Sequence, residues 1–164
     1  MSLSEIDETV SSQRQGSVLL TFRIEGELFG LPVSQIQEIL DPIEPTDVPL
    51  AAPHAPALFN VRGVIVPSFD LRHCLRIRPL PEGAEYRIVV IDVVVAGAPT
   101  KLAIAADSVE AVVEIAPESV TPLPPLGSTW PDEFIAGVAY LGDDLVVLLD
   151  SETLFNPKTA GKAA

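Results

Sequence analysis

Proline placement constrains this chain more than any other feature. Sixteen of its 164 residues are proline, about twice the ordinary usage of ~5%. Most cluster at 42–56, 79–81, 117–125 and 131, and runs rich in valine, isoleucine and leucine lie between the clusters. Proline has no backbone N–H to give to a strand ladder, so it is driven to strand ends and turns. The distribution therefore specifies many short strands joined by stiffened connections.

Local alternation agrees. Val18, Leu20, Phe22 and Ile24 alternate with Leu19, Thr21, Arg23 and Glu25, the period of two that marks a strand with one buried face. Gly26-Glu27 turns the chain, and Phe29, Leu31 and Val33 alternate on the return, so 17–33 reads as a hairpin. Residues 34–40, SQIQEIL, fit either a single helical turn or a short strand. Val33, Ile36 and Leu40 make a helical stripe and Ser34 with Gln37 resembles a capping box, but Pro42 ends the segment within two turns. Glu38 stands between Ile36 and Ile39, which sets its carboxylate beside an apolar surface. The nominal PxxP pairs in 41–56, Pro42 with Pro45 and Pro53 with Pro56, read as connector stiffening rather than as a ligand motif.

The stretch Phe59 to Arg72, FNVRGVIVPSFDLR, sets Asn60, Arg62 and Gly63 among apolar residues, and Pro67 stops the run Val64-Ile65-Val66. An arginine between two apolar strands is costly to bury unless a carboxylate or carbonyl meets it. Arg62 therefore needs a partner. Asp70 is placed to cap a short helix whose Leu71, Cys74 and Leu75 share a face.

The second half repeats this plan. Arg87–Val95 is a β-branched strand, Gly97-Ala98-Pro99 turns it, and 107–115 again sets acids among aliphatics. A proline-rich loop with the single tryptophan, Trp130, precedes a strand pair around Gly142-Asp143-Asp144, and Asp150 caps a last turn. Hairpin 17–33 matches 87–104, segment 34–40 matches 108–115, pair 59–69 matches 134–149, and helix 70–75 matches 150–155. The expected architecture is mostly β: two small pseudo-repeated barrels in one folding unit at 17–156, between a leader at 1–16 and a tail at 157–164.

The formal net charge of -13 argues against a nucleic-acid backbone or an anionic membrane as partner and favours partners with basic patches. One cysteine excludes an intrachain disulfide. The opening MSLSEIDET lacks signal-peptide order, and the apolar stretch 88–98 is broken by Asp92, far short of the ~20 residues a membrane helix needs. These features read as cytoplasmic and soluble. No phosphate loop or dinucleotide fingerprint is present. His73-Cys74 invites a catalytic or metal reading, but the only other histidine is His54 in a loop, so Cys74 reads as a small core residue. Asp143 and Asp144 read as solvated turn residues, and no serine sits in a nucleophile elbow. No catalytic constellation, cofactor or metal site emerges, and function points to binding.

The motif order resembles the CheW family, adaptors of bacterial chemosensory arrays, over about residues 17 to 156. FNVRGVIVPSFDLR is similar to the family's N-L-R-G, aliphatic run, proline and D-L-R, with Val61 in place of leucine. FRIEGELFGLPVSQIQEIL at 22–40, AIAADSVEAVVEI at 103–115 and FIAGVAYLGDDLVVLLDSETLF at 134–155 support it. The resemblance implies two packed five-stranded SH3-like barrels and a non-catalytic protein. It would bridge the cytoplasmic tip of a chemoreceptor, held in a groove between the barrels, to the regulatory domain of a CheA-type histidine kinase. Ile36, Glu38, Asn60, Arg62 and Gly63 match the family's partner-binding positions, and Glu38 is the expected ion-pair partner of Arg62. Two other readings compete: an SH3-like peptide-binding module outside chemosensory systems, and a small hydrolase using Cys74 or an acid pair.

Overall fold

The computed structural model describes residues 17–50, 57–124 and 130–156. The expected leader and tail, His54 and the second PxxP pair lie outside the described residues.

The alternating stretches become strands. They are β1 (Ser17–Ile24), β2 (Glu27–Pro32), β3 (Ile36–Leu40), β4 (Thr46–Asp47), β5 (Ala57–Val61) and β6 (Val64–Pro67) in the first half. β7 (Arg87–Val95), β8 (Ala98–Ala106), β9 (Ser108–Ile115), β10 (Ile135–Leu141) and β11 (Asp144–Leu149) follow. The β1–β2 and β7–β8 hairpins close on Glu25-Gly26 and Ala96-Gly97, one residue earlier than the sequence suggested. Both residues of each turn have positive φ (53° and 79°, 52° and 81°), the two-residue geometry whose twist matches that of the strands. Both short helices are capped as expected. The Asp70 side chain accepts from His73 N–H before α1 (Leu71–Cys74), and Asp150 accepts from Thr153 N–H before α2 (Ser151–Leu154).

Segment 34–40 resolves the two readings in series: a 3-10 turn at Val33–Gln35, then β3. The capping box does not form, because Gln37 is already part of the strand and no side chain caps the turn.

The strands make two units, but none of the three sheets closes on itself as a barrel. One unit is a five-stranded sheet in the order β10-β11-β2-β1-β9. The other is two three-stranded sheets, β3-β7-β8 and β4-β5-β6, joined at a Ser68–Ala103 bridge. That joint is short because Pro67 cannot donate and the chain turns into α1 at Asp70. In the first unit, the segment after β9 reaches β10 only at a Thr121–Val138 bridge. Gly137 permits the approach: a Cβ there would stand 2.7 Å from Val120 Cγ1 and 3.0 Å from the Thr121 carbonyl oxygen.

The repeat is real in plan but crossed in space. The halves do not build one unit each. β1 and β2 pair with β9 and β11 from the second half, while β7 pairs with β3 from the first. The chain leaves the first unit at the 3-10 turn and returns at Asp107, between β8 and β9. As a result β7 is buried on both faces over residues 88–91, whereas Asp92 and Val94 beyond them are exposed. Val89, Ile91 and Val93 join Phe22, Phe29 and Leu31 in a core shared by the two units. Ile88 and Val90 pack with Phe59, Val61 and Val66 inside the second unit. A doubly covered strand reads as a continuous apolar run rather than an alternating one, which accounts for the Ile88-Val89-Val90-Ile91 part of RIVVIDVVV.

Candidate partner-binding site

The site begins with an irregularity in β3. Ile36 lies opposite Ile91 and Glu38 opposite Val90, so Gln37 is the extra residue of a β-bulge. Cross-strand neighbours share a face, and Ile91 and Val90 point into different cores. Ile36 accordingly packs against the shared core, whereas Glu38 turns to the second unit.

There Glu38 forms an ion pair with Arg62. Arg62 and Gly63 are the two turn residues of the β5–β6 hairpin, with φ of 51° and 84°. The Asn60 side-chain oxygen accepts from Gly63 N–H at 2.8 Å and locks the turn. The N-x-R-G motif is thus a hairpin tip: asparagine ties it, glycine supplies the conformation, and arginine is presented outward. A small cleft of about 140 Å³ beside it is lined by Glu38, Arg62, Val64, Val90 and Lys101.

Arg62 is not buried. Its side chain is 70% exposed, because it sits on a turn and not inside a strand. The arginine that does need internal partners is Arg72, at 7% exposure, which sequence reasoning passed over. Its Nη1 donates to Glu25 Oε1 and to the Arg78 carbonyl oxygen, both at 2.8 Å, and its Nη2 donates to Asp107. Arg78 holds the other oxygen of Glu25 at 2.9 Å. Asp107 also accepts from Glu25 N–H at 2.9 Å, and its own N–H donates to the Arg23 carbonyl. Three segments meet here: the β1–β2 turn, α1 and the β8–β9 junction. The one sequence signal was Arg72 itself, next to Leu71 on a four-residue helix that has almost no outward face.

The electrostatics follow the geometry. Hydrogen bonding from Arg72, reinforced by Arg78, holds the Glu25 carboxyl below its ordinary 4.5 against a smaller opposing effect of desolvation. Burial alone would lower the Arg72 guanidinium, but its bonds and charge contacts with Glu25 and Asp107 outweigh that and raise it. The Cys74 thiol is fully buried, and burial with the nearby Asp70 charge pushes it up to about 12. Such a thiol is not a nucleophile at neutral pH. Among the described residues no three His, Cys, Asp or Glu side chains are grouped to hold a metal ion.

On the other side of β3 a cleft of about 520 Å³ opens between the units. One wall carries Ile39 and Pro42 with the charged Asp41, Glu85 and Arg87, and the other carries Asp107 and Val109. Ile39 is 44% exposed. Of the five positions suggested by the motifs, Glu38, Asn60, Arg62 and Gly63 gather at the hairpin tip. Ile36 stands apart on the opposite face, and Ile39, not Ile36, reaches the cleft.

A model of the CheW-like domain matches residues 18–158. The chemotaxis protein CheW of Treponema pallidum is 30% identical over 150 residues, covering 89% of this chain and 86% of its own. That of Klebsiella aerogenes is 26% identical over 147 residues, covering 90% and 86%. In fold, the chain is similar to the crystal structure of the scaffolding protein TtCheW from Thermoanaerobacter tengcongensis, with a TM-score of 0.73 and 24% identity over 88% of this chain and 90% of the other.

Proposed function

The chain belongs to the CheW family, and on that premise we propose that it is a non-catalytic adaptor in a bacterial chemosensory complex. It couples the cytoplasmic tip of a chemoreceptor to the regulatory domain of a CheA-type histidine kinase, at membrane-associated receptor arrays in the cytoplasm. The observation that carries this reading is the cleft between the two units. Its walls come from different sheets, and it offers Ile39, Pro42 and Val109 to a partner. Asp41, Glu85, Arg87 and Asp107 share the lining, so the cleft suits an amphipathic helix that brings both apolar and charged side chains. The hairpin tip with Glu38 and Arg62 lies on the far side of β3 and leaves a second face for another partner.

No helix among the described residues is long and apolar enough to cross a membrane, so attachment to an array would run through the receptor. A net charge of -13 makes association with a basic patch faster at low salt than at high salt.

Titration against a receptor-tip helical hairpin and, separately, against a CheA regulatory domain tests the proposal. Binding of both, singly and together, is the expected result. Failure to bind either partner from its own organism would remove the adaptor reading in favour of a peptide-binding module of another system.

A further inference from the structure

We propose that Arg72 is the positioning residue of the cleft between the units, gripping Asp107 from behind and so holding the β9 wall at a fixed separation from the β3 wall. This rests on the reading of that cleft as the receptor site.

Asp107 is the pivot of the argument. It lines the cleft, it is the residue at which the chain crosses from β8 into β9, and Val109 of the same wall follows two residues later. Its carboxylate is held by Arg72 and by the Glu25 N–H, and its backbone N–H by the Arg23 carbonyl. Arg72 lies behind this wall. It does not line this cleft, and at 7% exposure its side chain is turned away from a partner seated there; the pockets it borders lie beside α1. It grows from α1, which hangs from β6 of the second unit, whereas Glu25 belongs to the hairpin of the first. One guanidinium therefore joins both units at the crossing point.

Stability alone does not explain such a group. Buried ion pairs contribute little net free energy compared with apolar residues of the same volume. What the planar fork adds is direction: Nη1 serves Glu25 and the Arg78 carbonyl while Nη2, at a second fixed place, serves Asp107, and lysine, whose three donors radiate from one nitrogen, lacks that second position.

The test uses the full chain with R72K and E25Q, neither of which changes a cleft-lining residue. Two readouts are taken at a temperature where circular dichroism shows each variant folded. The first needs no partner: backbone amide NMR signals of Ser108, Val109 and Ile39, with Val146 and Val147 in the distant β11 as controls. The second is affinity for a receptor-tip helical hairpin. We expect R72K to shift or broaden the wall amides while sparing the controls, and to weaken binding by roughly 5-fold or more. A lowered melting temperature with unmoved wall amides and unchanged affinity would overturn the proposal and leave Arg72 merely structural. If R72K does not fold, E25Q decides by the same criteria, since it removes one carboxylate but keeps the cation. If the wild-type chain binds no receptor tip, the adaptor reading fails, and the wall amides alone decide whether Arg72 positions the cleft.

Discussion

Ile36 and Glu38 lie two residues apart on β3 yet face opposite sides of it, because Gln37 is extruded as a bulge. In a regular strand they would share a face. The bulge gives β3 an apolar side towards the shared core and the cleft, and a charged side towards the Arg62 hairpin.

The apolar side should carry receptor affinity. Ile39→Ser removes an exposed aliphatic from the cleft wall and should weaken receptor-tip binding by about 5-fold or more. The denaturation midpoint should stay close to wild type. Calorimetric titration alongside urea unfolding checks both halves of the expectation.

The two arginines of the 59–72 stretch should behave differently in stability. Arg62 is exposed, so Arg62→Ala should destabilise by less than about 1 kcal/mol, with a coupling to Glu38 that shrinks at high salt. Arg72→Ala leaves Glu25 with Arg78 alone and Asp107 with the Glu25 N–H alone, and opens a gap where a buried side chain was; it should destabilise by about 3 kcal/mol. Urea denaturation with a Glu38–Arg62 double-mutant cycle measures this. Equal losses at the two sites would contradict the assignment.

Acid sensitivity follows from Glu25. Its folded pKa is lowered, chiefly by Arg72. Folding is therefore favoured by its ionised form, and that contribution is fully present above the unfolded value near 4.5. It is lost as pH falls below 4.5 through the lowered folded value. Wild-type stability should drop over this interval, and E25Q should show a flatter acid limb in chemical denaturation run at stepped pH.

Two glycines should fail for different reasons. Gly63 has a φ of 84° and open space around its would-be Cβ. Gly63→Ala should cost about 1 kcal/mol by conformation alone. Gly137 has no positive φ, but its would-be Cβ meets the Thr121 carbonyl oxygen at 3.0 Å and Val120 Cγ1 at 2.7 Å. Gly137→Ala should cost about 1–3 kcal/mol and increase hydrogen exchange at Thr121 and Val138, which Gly63→Ala should leave unchanged.

Cys74 should resist alkylation in the folded protein. Its thiol is fully buried and its pKa is raised to about 12. Labelling by iodoacetamide at neutral pH should track global unfolding. Rapid labelling of the native state would restore Cys74 as a nucleophile and reopen the hydrolase reading.

The parts of the fold legible in the residues were those governed by neighbours in the chain. Alternation at 18–24 marked β1, Asp70 and Asp150 marked helix starts, and the prolines marked where strands stop. Each rests on interactions within a few residues, so a short window contains the cause. The two-residue turns were misplaced by one because glycine is their second member, and only the backbone angles at Glu25 and Ala96 reveal this.

Of the candidate site, the hairpin tip could be read from N-x-R-G, but the cleft and its support could not. In the amino-acid order alone, the chain determined that it forms many short strands, two similar halves, two capped helical turns and an arginine in want of a carboxylate. Tertiary structure decided which arginine was buried, that each unit draws strands from both halves, and that Ile36 and Glu38 part company at Gln37. The physical reason is covering: a hairpin with two apolar faces has no preference for partners near in sequence. Beyond their hairpin partners β7 pairs with β3 and β1 with β9, and those pairings cover apolar faces that would otherwise meet water. The crossing this creates at Asp107 is what Arg72 is there to hold.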